Sequence, residues 1–171
     1  IDLSEGHVMG VLNVTPDSFY DGGKYKDLNV IVSHAKQMLE DGATFIDIGG
    51  ASTKPGADVV DEKEEINRVI PAINAIKKHA PKAIISIDTT SSIVAEKAVT
   101  YGASIVNDIS AGTFDDRMLD VVASLGIPYI AMHIQGTPKT MQINPSYDHV
   151  VDDVFLAMES LRDRAFKQGI K

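Results

Sequence analysis

A chain of 171 residues, 44% hydrophobic and 23% charged, has material for one core and excludes intrinsic disorder. It contains no Cys, which excludes a disulfide scaffold and a cysteine zinc site. The net charge of -8 argues against a nucleic-acid or anionic-membrane surface, and no stretch reaches the roughly 18–20 apolar residues of a membrane span.

The start, Ile1-Asp2-Leu3-Ser4-Glu5, is not a signal peptide and lacks Met. The expectation is a cytoplasmic protein whose native N-terminus is missing or processed. Five apolar, β-branched runs then predict strands, each followed by a loop and a helical pattern. The first strand, His7–Val14, carries Asn13 and opens into a long Gly/Pro-marked loop, Thr15–Asp27. A helix over Asn29–Asp41 puts Ile31, Ala35, Met38 and Leu39 on one stripe. The second strand, Thr44–Gly50, carries Asp47 and Gly49 and leads to a second long loop, Ala51–Val60. The helix over Asp61–His79 has Ile66, Val69, Ile70, Ile73 and Ile76 facing a core. Asp61 is its expected N-cap, Glu64 completes a capping-box-like start, and Pro71 should kink it or remove a hydrogen bond.

The third strand, Ala83–Thr89, ends in Asp88-Thr89 and precedes a helix over Ser91–Tyr101. The fourth, Ser104–Ser110, carries Asn107-Asp108 and precedes a helix over Asp115–Leu125, with Asp115 as expected N-cap. The fifth, Pro128–Ile134, carries His133, with Gln135 beyond; a last helix spans Asp148–Gln168. Gly42, Gly102 and Gly126 stand where helices should stop. Near-continuous apolar strands predict a parallel sheet covered on both faces. Five β/α units suit an open doubly wound sheet or an incomplete (β/α)8 barrel, whose full form takes about 250 residues.

In either fold the C-terminal strand ends converge on one site. Asn13, Asp47, Asp88, Asn107 and His133 should therefore share a mouth. Any one of them could simply cap a loop; five together favour a site. Ionised Asp only accepts hydrogen bonds, whereas Asn both donates and accepts. Asp88 with Asn107 therefore suits a planar heterocycle with amide and amino edges. The segments Tyr20–Lys24 and Lys54-Pro55-Gly56 can offer backbone N–H groups and a cation to a phosphate. The common nucleotide, hydrolase and zinc-protease motifs are absent. His34 and His79 fall on helices and are expected at the surface.

Taken in order, these segments resemble the dihydropteroate synthase family of pterin-binding enzymes. The resemblance rests on Met9-Gly10-Val11-Leu12-Asn13-Val14-Thr15-Pro16-Asp17-Ser18-Phe19, on Asp47-Ile48-Gly49-Gly50, and on Ser52-Thr53-Lys54-Pro55-Gly56. It continues through Ser86-Ile87-Asp88-Thr89, Asn107-Asp108-Ile109 and Met132-His133-Ile134-Gln135-Gly136-Thr137-Pro138. It spans essentially the whole chain.

The resemblance implies an α/β (β/α)8 TIM barrel, of which residues 1–171 would be an N-terminal portion with about five β/α units. It implies a transferase of folate biosynthesis, joining 6-hydroxymethyl-7,8-dihydropterin diphosphate to 4-aminobenzoate and releasing diphosphate. By motif match, Asn13 would sit on Mg2+, and Asp88 and Asn107 would hold the pterin as the catalytic pair. Ser52, Thr53, Pro55 and Phe19 would shape the aminobenzoate pocket where sulfonamides compete, and Lys54 would face the diphosphate. No nucleic-acid or membrane partner is implied; a homodimer of the full-length protein is.

Three departures stand out. Lys54 replaces a frequent Arg, Ala51 replaces a frequent Glu, and the chain stops at Lys171, before the family's later Asp, Lys, Arg and His. A fragment of a longer enzyme is therefore expected. Two alternatives remain: a methyltetrahydrofolate–corrinoid methyltransferase-type domain, and an inactive pterin-binding fragment.

Overall fold

A computed structural model describes residues 2–15, 24–51 and 60–171, with the backbone alone for 24–27. Among the described residues five strands, β1 Met9–Asn13, β2 Phe45–Gly49, β3 Ile84–Asp88, β4 Ile105–Asp108 and β5 Tyr129–Ala131, alternate with five helices. The helices are α1 Lys24–Glu40, α2 Glu62–His79, α3 Ser92–Thr100, α4 Met118–Leu125 and α5 Val150–Lys167. Every strand pair is parallel, as helical crossovers require.

The strand order is β1-β2-β3-β4-β5. A doubly wound sheet reverses direction at a switch point. This one advances in a single sense, as a barrel wall does, so the choice left open by the pattern resolves to the first five units of a barrel.

One face of the pleat carries Leu12, Ile46, Ile48, Ile85, Ile87 and Val106, all essentially inaccessible. They pack against Ile31, Ala35, Val69, Ile73, Ile76, Val94, Ala98, Met118 and Val122 of the helices. Burying each such side chain contributes about 1.5–3 kcal/mol. The other face carries Val11 and Asn13, Asp47 and Gly49, Ser86 and Asp88, Ile105 and Asn107, and Ile130, by the two-residue period of strands. The expectation of strands covered on both faces therefore holds only partly. All of β2 is buried, but Val11 is 57% exposed and Ile130 39% exposed.

Helix ends agree with the sequence in places. Asp61 caps α2 as expected, by accepting from Lys63 N at 3.3 Å; Ser91, not singled out as a cap, caps α3 by accepting from Val94 N at 3.4 Å. Gly42, Gly102 and Gly126 have positive φ and end their helices. Pro71 lies inside an unbroken α2, where its missing N–H leaves one turn without its bond.

Other caps differ. Glu64 pairs with Arg68 at 2.9 Å, one turn on, and completes no capping box. Asp115 does not cap α4, which starts three residues later. Its carboxylate accepts instead from Ser92 N at 2.8 Å and Arg117 N at 3.0 Å, tying the turn before α4 to the start of α3. Helix α1 starts five residues before the predicted Asn29. Helix α5 buries only Leu161 fully and leaves Phe155 61% exposed.

Candidate functional site

Register builds the site. Asn13 stands opposite Gly49, Gly49 opposite Asp88, and Asp88 opposite Asn107. Four consecutive strands thus deliver one row of residues at their C-terminal ends, on the face turned away from the helices. Gly49 is the gap in that row. A Cβ there would lie 3.3 Å from both Asn13 Oδ1 and Asp88 Oδ2. The missing side chain lets these two oxygens lean toward one another across β2.

One pleat below lies a second polar layer. Asn107 donates from Nδ2 to Asp47 Oδ2 at 3.0 Å, reaching across β3. Ser86, opposite Asp47 on β3, is small enough to leave that path open. Asp47 is 4% exposed and Ser86 fully buried. Among the described residues Asp47 Oδ1, Ser86 Oγ and Asp88 Oδ1 have no hydrogen-bond partner. Buried polar atoms are rarely left so, and each of these is available to a water or a ligand.

Charge accumulates here as well. Burial, with the carboxylates of Asp47, Glu65 and Asp108 adding to it, raises the Asp88 carboxyl to about 7. An acid poised near neutrality in a polar mouth is characteristic of functional sites. Glu65, 5% exposed on α2, is also raised, mainly by burial.

The remaining strand-end residues divide. Asp108 points to the opposite face and organises the loop after β4. It accepts from Ser110 N and Oγ at 2.7 Å, Gly112 N at 2.8 Å and Tyr129 Oη at 2.7 Å. Burial and that carboxylate push the Tyr129 hydroxyl's ionisation up. His133 lies beyond β5 and pairs with Tyr147 Oη at 3.2 Å. It lines a separate cavity with Thr113, Met158 and Arg164. Gln135 brackets Ser146, donating to its carbonyl at 2.9 Å and accepting from its N–H at 3.2 Å. The expected common mouth therefore contains Asn13, Asp47, Asp88 and Asn107, without His133. His34 and His79 are exposed on their helices, as expected.

Phe19, Ser52, Thr53, Lys54 and Pro55 lie outside the described residues. The periodic pattern did not single out Ser86 or Glu65. Glu65 could have been found, because it continues the buried 69, 72, 73, 76 stripe of α2 one turn toward the N-terminus.

Among the described residues no cluster of three His, Asp or Glu could hold a metal ion. Mg2+ does not need one: it keeps several waters and takes few protein oxygens beside substrate phosphates. The Asn13 amide oxygen, exposed at the rim of the row, fits that minimal role. No helix among the described residues is long and apolar enough to cross a membrane.

Comparison with known proteins agrees with this geometry. The family model described as "Pterin binding enzyme" matches residues 9–171. The chain is 41% identical over 171 residues to the dihydropteroate synthase of Haemophilus influenzae, covering all of this chain and 62% of that protein. It is 47% identical over 154 residues to that of Escherichia coli K12, covering 90% of this chain and 54% of that protein. The crystal structure of Yersinia pestis dihydropteroate synthase with a sulfonamide drug superposes with a TM-score of 0.90 at 42% identity. That match covers all of this chain and 62% of the other. The Xanthomonas albilineans enzyme in complex with 7,8-dihydropteroate gives 0.85 at 34% identity, covering all of this chain and 59% of that one. The chain spans a little over half the length of these relatives. With its strand order, its row of strand-end residues and a family match running from β1 to the last residue, the chain belongs to the pterin binding enzyme family.

Proposed function

We propose that this chain forms the pterin-binding part of a dihydropteroate synthase. The carrying observation is the row Asn13, Gly49, Asp88, Asn107, with Asp47 beneath it. The polar pair at one end suits the donor and acceptor edges of a dihydropterin. The exposed amide oxygen of Asn13 at the other end suits the diphosphate and its Mg2+. The solved relatives with 4-aminobenzoic acid and with 7,8-dihydropteroate support the same substrates here.

In the reaction proposed, the bond between the pterin methylene and the diphosphate oxygen breaks, and its electron pair leaves on oxygen. The aniline nitrogen of 4-aminobenzoate then bonds to the methylene carbon and loses a proton. Asp88, ionised, accepts from the ring and stabilises the positive charge that develops on it. Asn107 is oriented by Asp47: an ionised carboxylate only accepts, so the amide NH2 faces Asp47 and Oδ1 is left for the ligand. Asn13 would hold Mg2+, which when bound would supply neutralisation of the charge developing on the leaving diphosphate. Ser52, Thr53, Pro55 and Phe19 are assigned to the aminobenzoate pocket and Lys54 to the diphosphate by motif alone. The acidic, cysteine-free chain is assigned to the cytoplasm, and the full-length protein to a homodimer.

A turnover assay tests the reading, run on this chain and on a version extended by the C-terminal part that the relatives carry. Dihydropteroate formed by the extended version supports it. In calorimetry the chain should bind 4-aminobenzoate when diphosphate and Mg2+ are present. Binding of methyltetrahydrofolate alone would instead identify a corrinoid methyltransferase-type domain. Pterin binding without turnover in either version would identify an inactive binding module.

A further inference from the structure

Asp108 is fully buried on the helix-facing side of β4, next to Asn107 in the chain and pointing away from the mouth. Its carboxylate accepts four hydrogen bonds, which fill the roughly four acceptor positions that an ionised carboxylate offers. Three come from its own turn: Ser110 N and Oγ at 2.7 Å on Oδ1, and Gly112 N at 2.8 Å on Oδ2. These three alone would close the turn. The fourth, from Tyr129 Oη at 2.7 Å, comes from β5. Tyr129 stands opposite Val106, so its hydroxyl runs diagonally along the sheet to the end of β4.

That end needs a tie. β4 has four residues and β5 three, against five in each of the other strands. Their ladder stops where Asp108 faces Ala131, one residue beyond Asn107, and the ends of elements open first. The Asn107 amide is held by Asp47 of β2 at 3.0 Å, and its carbonyl accepts from Thr89 N, after β3, at 3.0 Å. Those contacts point toward β2 and β3; Tyr129 supplies the side-chain tie toward β5. The turn itself is unusual. Ala111 has a φ of 54°, left-handed and uncommon for a residue with a Cβ, and its carbonyl accepts from Arg164 of α5 at 2.7 Å. Such a conformation persists where the surrounding bonds over-determine it.

We propose that Asp108 is a positioning residue for pterin, holding the end of β4 to β5 through Tyr129 so that Asn107 keeps its place beside Asp88. The proposal deepens the pterin reading and rests on it for the ligand, but not for the geometry. Asp108 faces away from the mouth and touches no substrate; it acts through the backbone it shares with Asn107.

The test has two arms on the full chain. The first needs no ligand: the NMR signal of the Asn107 side-chain NH2, which reports its contact with Asp47. Tyr129→Phe, which removes one hydroxyl, should shift it. Asp108→Asn, which sets an NH2 against hydrogen-bond donors, should shift it further. The backbone amide signal of Ile46, inside β2, should stay in place. The second arm is the affinity for 6-hydroxymethylpterin, measured by calorimetry. It should weaken about threefold in Tyr129→Phe and about tenfold in Asp108→Asn. The double variant should be weaker than Asp108→Asn by no more than about twofold, because both changes act on one bond. Ile76→Ala is the stability control, a buried residue in the last turn of α2, at the far end of the strands. It should lower the melting temperature and leave the affinity within about twofold of the parent.

An Asn107 side-chain signal unmoved in either variant overturns the proposal. Parental pterin affinity in either variant overturns it too. So does a loss in Ile76→Ala equal to that in Asp108→Asn, since that is only lower global stability. A double variant showing the product of the two single losses also overturns it, because Tyr129 then acts elsewhere. Should Asp108→Asn not fold, Tyr129→Phe decides by the same criteria. A parent chain that binds no pterin refutes the pterin reading, and the NMR arm still decides the role of Asp108.

Discussion

Asn107 on β4 and Asp47 on β2, sixty positions apart, share a hydrogen bond of 3.0 Å that passes over an intervening strand. It orients the amide, and it sits beneath the residues that line the mouth. Removing one partner leaves the other buried without a mate, which costs about 1–3 kcal/mol. Asp47→Ala should lower the melting temperature and weaken 6-hydroxymethylpterin binding together. Asn107→Asp sets two carboxyls face to face and should abolish binding. Calorimetry and thermal melts of the two variants check this; pterin affinity retained in Asn107→Asp would remove Asn107 from the site.

Asp88 provides a pH signature. Its carboxyl lies near 7 when folded, against an ordinary value of 3.8, because burial and the carboxylates of Asp47, Glu65 and Asp108 oppose its charge. The native state therefore holds a proton that the unfolded chain releases. This contribution to stability is full below about pH 4 and is lost as pH rises through about 7. Asp88→Asn should flatten that part of the profile and stabilise the chain at pH 8 by roughly 2–4 kcal/mol. Urea titrations at pH 5 and pH 8, parent against variant, measure it.

Ligand binding should read the same proton. If the pterin meets the ionised carboxylate, binding below pH 7 must release a proton. Affinity at pH 6 should then be about tenfold weaker than at pH 8. Calorimetry at pH 6 in two buffers of different ionisation enthalpy counts the proton. Uptake instead of release would mean that the protonated acid is the binding form.

Gly49 and Gly50 are adjacent and should behave differently. An alanine Cβ at Gly49 intrudes 3.3 Å from Asn13 Oδ1 and Asp88 Oδ2, both side-chain tips able to give way. Gly49→Ala should fold nearly as well as the parent but bind pterin at least tenfold more weakly. At Gly50 the Cβ meets Val69 Cγ1 at 2.7 Å and the Glu65 carbonyl oxygen at 3.1 Å. Gly50→Ala should cost about 1–3 kcal/mol of stability, because packed backbone must shift. Melting curves and pterin titrations separate the two.

Asn13 lies at the end of the row away from Asn107. Asn13→Ala should leave the affinity for 6-hydroxymethylpterin within twofold. It should remove the Mg2+-dependent gain in affinity when the ligand carries a diphosphate. Titrations of both ligands with Mg2+ and with a chelator check it; an unchanged Mg2+ effect would place the ion on other oxygens.

Read in one dimension, the chain discloses its alternation, its parallel strands and the chemistry at their ends. Apolar runs and 3.6-residue stripes are local, so β1–β5 and α1–α5 are recognisable within a few residues, as is the Asp61 cap. The motifs around Asn13, Asp47, Asp88 and Asn107 point to a pterin before any coordinate is drawn. Register, face and reach belong to the tertiary structure alone. Strand order decided barrel wall over doubly wound sheet, since nothing local says which neighbour a parallel strand will choose. Parity within β4 sent Asn107 into the mouth and Asp108 away from it, though they are adjacent in the chain. Tyr147 claimed His133, and Glu65 lies buried on α2 in line with its aliphatic stripe. Such outcomes depend on contacts between residues far apart in sequence, and only packing brings those together.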